Sequence, residues 1–267
     1  MPDDLAALLQ LSPAGDDEFQ STPIAPGHLY GGWSQALALG AAARTVAPGL
    51  LAHASHAVFA SAGDAGRPLR LRVQRVRDGR SSAIRQVTAD QDGAVRLLLT
   101  VSFAAAAAGP EWQEPSLPPL RGPDEIATDR SALVGMDPIE FRPVGADRYD
   151  EGAPMMTAPH PFWARPRVSL PDEPALGAAV LAFVSDYMVV AASQVPGRPF
   201  AAGSQVASLE HTLWVHRAVR PSAWLLYDAA PVSVSAGRGF VRGTVRDGDG
   251  QVIASFAQES LTRPPRT

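Results

Sequence analysis

The chain has no cysteine and no lysine. The first absence excludes a disulfide framework, a thiolate nucleophile and any cysteine-based metal site. The second excludes a lysine Schiff base or a lysine general base. Long apolar runs are also missing: no segment approaches the roughly 18 consecutive apolar residues of a membrane-spanning helix, so no membrane association is expected. The first residues, Met1-Pro2-Asp3-Asp4, are acidic and do not read as a signal peptide. With no cysteine, this makes the cytoplasm the expected compartment. A formal charge of −4 disfavours a general nucleic-acid role, which calls for a basic surface. A Gly-x-Ser-x-Gly elbow is absent, which speaks against serine hydrolase chemistry. His211 and His216 lack the helical i, i+4 context of a metal motif, so no metal site is expected.

What is present is enough for one large or two small globular domains: 267 residues, 46% hydrophobic and 19% charged. The pattern looks like one domain written twice. The first copy carries Asp78-Gly79-Arg80, then Ala83-Ile84-Arg85-Gln86-Val87, and turns at Asp92-Gly93. The second carries Ala236-Gly237-Arg238, then Phe240-Val241-Arg242-Gly243-Thr244, and turns at Asp249-Gly250. A turn dipeptide between two apolar, β-rich runs is a strong hairpin signature. A seam between imperfect copies is a natural place for a binding cleft.

The reading along the chain gives an α+β fold. Residues 5–20 are a short lead-in. A helix runs from about Trp33 to Val46, ended by Pro48-Gly49, and strands follow at 51–61, 68–77, 81–90 and 94–104. An alanine run and Pro110, Pro115, Pro118, Pro119 and Pro123 then break the pattern. A second helix spans about Asp172 to Ser193, ended by Pro196-Gly197, with strands at 203–218, 223–234, 238–247 and 251–263. The expected division is therefore 1–107, a linker at 108–167 with strand pieces near 139–149 and 161–170, and 168–267. Two such units set edge to edge make one continuous curved sheet with both helices on the same side.

Several spaced motifs carry a family resemblance. In the first half these are His53 through Ser55-His56-Ala57-Val58-Phe59 to Gly63-Asp64, Leu71 to Ser81, and Thr100-Val101-Ser102-Phe103. In the second they are Ser185-Asp186, Leu209-Glu210-His211-Thr212-Leu213-Trp214-Val215-His216-Arg217, Trp224 to Tyr227, Gly237 to Gly243, and Ile253 to Glu259. In these pieces the chain resembles the type II acyl-coenzyme A thioesterases, double-hotdog enzymes related to bacterial thioesterase II. The resemblance implies a double hotdog that hydrolyses acyl-CoA without a cofactor, within a homo-oligomer. It implies a water held by an Asp, a hydroxyl residue and a Gln, here Asp186, Ser208 and Gln258. Ser208 stands where the family usually shows Thr, and Glu210 where a shorter Asp is usual.

The residues can also be read on their own. Asp186 lies in an apolar helix among Ala179, Ala182, Phe183 and Val190, so it is either at the helix's polar edge or buried for a purpose. Gln258 shares a strand face with Val252, Ala254 and Phe256 and needs a polar partner. Aligning Asp92-Gly93 with Asp249-Gly250 puts Val101 opposite Gln258, a divergence expected when one copy keeps the chemistry. Gly31-Gly32 precedes a helix, where free N–H groups suit an oxyanion or substrate, and this loop is expected to face Asp186 across the seam. His53 and His56 are the alternative base, without an evident acidic orienter. Arg70, Arg72, Arg75, Arg77, Arg80 and Arg85 form the densest basic region; Arg72 and Arg80 are candidates for the coenzyme A phosphates, against a solvated strand face. Two readings compete with the thioesterase. One is a hotdog enoyl-CoA hydratase or dehydratase, for which the Asp-x-Asn-Pro-x-x-His arrangement is missing. The other is an acyl-thioester binding module without chemistry.

Overall fold

The computed structural model describes residues 4–115, 120–127, 137–144, 161–187, 189–193 and 204–263. In chain order they form α1 (Leu5–Leu8), β1 (Leu11–Gly15), β2 (Glu18–Ser21), α2 (Gly31–Ala43), β3 (Leu50–Phe59), β4 (Arg70–Asp78), β5 (Ser82–Gln91) and β6 (Ala94–Ala105). A 3-10 turn (Pro123–Glu125) leads to β7 (Ile139–Pro143), β8 (Phe162–Pro166), α3 (Pro174–Ser185), α4 (Val189–Ala192), β9 (Gln205–Val215), β10 (Leu225–Ser235), β11 (Arg238–Arg246) and β12 (Val252–Arg263). The Pro196-Gly197 helix stop lies outside the described residues.

All twelve strands join one sheet in the order β1-β2-β4-β5-β6-β3-β9-β12-β11-β10-β8-β7. Read from its middle outward, each half repeats: a central strand, a meander running back through the other three, and a hairpin at the edge. Each copy is thus a hairpin, a helix and four strands. The first hairpin, β1-β2, comes from the lead-in, and the second, β7-β8, from the stretch expected as linker. Both are short and contain proline; strand pieces were expected where β7 and β8 lie, whereas β1 and β2 fall in what reads only as a lead-in.

The copies meet where β3 pairs antiparallel with β9, Ser55 opposite Leu213 and Ala57 opposite His211. α2 and α3 pack together on one face of the sheet, and one core runs through both halves, from Trp33, Leu37, Leu71, Leu99 and Phe103 to Phe183, Tyr227 and Phe256. The inward faces of the strands supply the alternating apolar residues, as a half-buried sheet requires.

The turns differ between the copies. Asp92 and Gly93 both take positive φ (53° and 80°), a tight two-residue hairpin. At Asp249-Gly250 only Gly250 does, inside a longer loop between β11 and β12. The sheet register therefore departs from the sequence alignment at one point. Val101 lies opposite Arg85, whereas Gln258 lies opposite Val241, not Arg242. The match of Val101 to Gln258 holds, because Val101 pairs with Ser55 as Gln258 pairs with His211.

Candidate active site

The second helix stops sooner than its apolar run suggests: α3 ends at Ser185, with Asp186 as its C-cap. No glycine or proline marks this point. At this point the chain makes a contact with the other copy. The start of α2 has no side-chain cap of its own, since its N-cap is Tyr30. Asp186 supplies one from across the seam: its Oδ2 accepts a hydrogen bond from the Gly32 N–H at 2.8 Å. A carboxylate is favoured there by the free N–H groups and positive end of α2.

Two glycines permit this approach. A Cβ on Gly32 would stand 2.4 Å from the Phe183 carbonyl oxygen and 2.7 Å from the Tyr30 Oη. One on Gly31 would stand 2.8 Å from both Asp186 Oδ2 and the Phe59 ring. Tyr30 seals the junction by donating its hydroxyl to the Phe183 carbonyl at 2.6 Å, its ring edge-on to Phe183.

The strands complete the cluster. Ser208 on β9 donates its Oγ–H to Asp186 Oδ1 at 3.2 Å. Gln258 on β12 donates from Nε2 to Ser208 Oγ at 2.9 Å and to Ser260 Oγ at 3.3 Å. Its Oε1 is buried and accepts no hydrogen bond among the described residues. Burial pushes the Asp186 carboxyl up from 3.8 to about 7, against the pull of the Gly32 N–H, Ser208 and Gln258, which favour the charged form. A carboxylate of that basicity can take a proton from water near neutral pH.

Gly31 and Ser208 open onto a cavity of about 420 Å³. Leu29, Phe59, Val206, Leu209 and Leu261 make its apolar wall, and His28, Arg96 and Arg263 its polar part. Arg96 holds Ser61 Oγ and the Ala62 carbonyl. Arg263 is exposed and makes no ion pair among the described residues.

Thus Asp186, Ser208, Gln258, Gly31 and Gly32 come together, although the Gly32 N–H is engaged by Asp186 and does not face open space. The other three candidates lie elsewhere. Arg72 on β4 pairs with Asp90, and Arg80 is exposed in the β4-β5 turn; neither lines the cavity. Their neighbours have structural partners: Arg75 forks onto Asp17, and Arg85, fully buried, holds Thr45 and Asp78. His53 is exposed and lines a second cavity of about 350 Å³ at the opposite ends of α2 and α3. His56 contacts Thr212 at 2.7 Å on an exposed surface.

That second cavity is the first one's counterpart under the internal repeat; His53, His216 and Arg217 line it, but the polar cluster of the first is replaced. Arg44 caps α2 where Asp186 caps α3, Ala52 stands for Ser208, and Val101 for Gln258. Residues not singled out from sequence also surround the first site, namely Tyr30, Gln35, Ser185, His211 and Ser260. The one local sign was at His211, a polar residue sharing the inward face of β9 with Leu213.

Fold and site together define a double hotdog with the Asp186 cluster at the seam between its copies. The chain belongs to the type II acyl-CoA thioesterase family. The family's acyl-CoA thioesterase N-terminal domain matches residues 20–104 and its C-terminal domain residues 115–262. Human acyl-coenzyme A thioesterase 8 is 27% identical over 97% of this chain and 88% of its own length. Acyl-CoA thioesterase 2 of Haemophilus influenzae is 26% identical over 97% and 96%. The crystal structure of acyl-CoA thioesterase II TesB2 from Mycobacterium marinum superposes with a TM-score of 0.83 at 32% identity, covering 97% of this chain and 98% of that one.

Proposed function

We propose that the protein hydrolyses acyl-CoA to the free acid and coenzyme A by direct attack of a water held at Asp186, Ser208 and Gln258. The observation that carries this is the buried carboxyl of Asp186, raised to about 7 and joined to Gln258 through Ser208, which lines the cavity. The Asp186 carboxylate takes one proton of the water as the oxygen bonds to the thioester carbon. Gln258 Oε1, a buried acceptor with no partner among the described residues, orients the other proton. The oxyanion forms near the start of α2, whose dipole favours it. Collapse breaks the C–S bond, and the leaving sulfur takes the proton from Asp186.

Arg96 and Arg263 stand at the cavity and suit the coenzyme A phosphates better than Arg72 and Arg80, which are remote from it. A homo-oligomer in the cytoplasm completes the proposal. Trp214 and Phe240, 43% and 38% exposed on strands of the sheet, support association through that surface.

A pH profile tests the mechanism. Asp186 acts as a base only when ionised, so kcat/KM should rise with pH and be half-maximal near 7, falling about tenfold per pH unit below. A flat profile between pH 5 and 8 would remove Asp186 as the base.

A further inference from the structure

Beside the cluster lies a buried imidazole that the chemistry above does not use. His211 on β9 is fully buried. Its Nδ1 meets Gln35 Nε2 at 3.1 Å, and its Nε2 meets Ser185 Oγ at 3.2 Å. An amide nitrogen can only donate, so Nδ1 accepts and the ring proton sits on Nε2, donating to Ser185. The ring lies parallel to Phe256, centroids 6.1 Å apart, which fixes its plane.

These contacts join the parts that assemble the site. Gln35 is one turn beyond Gly31 and Gly32 on α2. Ser185 is the last residue of α3, adjacent to Asp186. Ser208 is three residues before His211 on the same strand, and Gln258 lies opposite His211 in the sheet. We infer that His211 is a positioning residue: by gripping Ser185 from β9 while anchored on Gln35, it sets where the Asp186 carboxylate stands between Gly32 and Ser208. Burial holds the imidazole down to about 4, so it does this as a neutral donor and acceptor. A neutral clamp leaves Asp186 without an adjacent positive charge that would weaken it as a base. The inference rests on Asp186 being the base of the proposed hydrolysis.

Two substitutions separate the two grips. In His211→Gln, the terminal amide reaches where Nε2 stands and still donates to Ser185. In His211→Asn, the shorter amide reaches only the Nδ1 position and keeps Gln35. His211→Asn is expected to lower kcat about a hundredfold with KM within about twofold, the signature of a misplaced catalytic group. His211→Gln should restore most of kcat. Ser185→Ala, a benign change within a helix, should reproduce part of the kcat loss and decides the matter if His211→Asn does not fold. Asp186→Asn is measured in parallel. If it is inactive while His211→Asn and Ser185→Ala both keep wild-type kcat, the positioning role is overturned. Equal kcat losses in His211→Gln and His211→Asn would overturn it too, marking the imidazole as packing alone. If Asp186→Asn is itself fully active, the failure lies in the catalytic reading on which the inference rests.

Discussion

Replacing Asp186 by Asn should make the protein more stable as it makes it inactive, and only above a definite pH. The carboxyl is held near 7 in the folded protein against 3.8 in an exposed chain, because burial disfavours its charge. The folded state therefore binds the proton more tightly than the unfolded state does. Between those two values the unfolded chain is ionised while the folded one still holds its proton, so the wild type loses stability as pH rises through this window. At about 1.36 kcal/mol per pH unit, the full cost above pH 7 is on the order of 4 kcal/mol. Asn nearly matches Asp in shape, accepts from the Gly32 N–H as the carboxylate does, and never ionises. Comparing variant with wild type at pH 5 and again at pH 8 cancels every other titrating group. The stability advantage of Asp186→Asn should grow by roughly 3 kcal/mol between those pH values, since about two pH units of the window lie between them. Urea denaturation reads this as a midpoint difference widening by about 1 M or more, at slopes of roughly 1–3 kcal/mol per M. An advantage equal at both pH values would refute the reasoning, because it would mean that burial does not raise the carboxyl.

Two further outcomes follow from the same geometry. Gly32→Ala should lower stability by about 1–3 kcal/mol and kcat at least tenfold, despite alanine's better helix propensity. Its Cβ would meet the Phe183 carbonyl at 2.4 Å and must push α2 away from α3; an unchanged melting temperature would contradict the contact. Arg263→Ala should raise KM for acyl-CoA about tenfold, the worth of one charge-assisted contact, and leave the KM of the matching acyl-pantetheine unchanged. An equal effect on both substrates would show that Arg263 does not meet the phosphates.

The two-copy architecture was legible because strand alternation and turn dipeptides are local properties, and both copies carry them. The helix ends were not. α2 begins at Gly31, inside what the sequence reads as a loop, because a carboxylate 154 residues away caps it. α3 stops at Ser185, where Asp186 makes that same contact, and among the described residues between it and β9 only the short α4 is helical. Asp186, Ser208 and Gln258 were visible through spaced motifs. The His211, Gln35 and Ser185 linkage was not, since it joins residues up to 176 positions apart through contacts that only the closed seam creates. The arginine-rich strand misled for a related reason. Density of charge along β4 and β5 says nothing of Asp17, Asp78 and Asp90, which meet those arginines only in the folded sheet.

The most direct test of the central claim is release of free thiol from a panel of acyl-CoAs of varied chain length, followed with a thiol-reactive dye for wild type and Asp186→Asn. The chain has no cysteine, so the protein adds no background. The wild type should turn over at least one acyl-CoA, and Asp186→Asn should lose that activity by several hundredfold or more with the fold intact. Wild-type rates in a folded Asp186→Asn variant would contradict the claim.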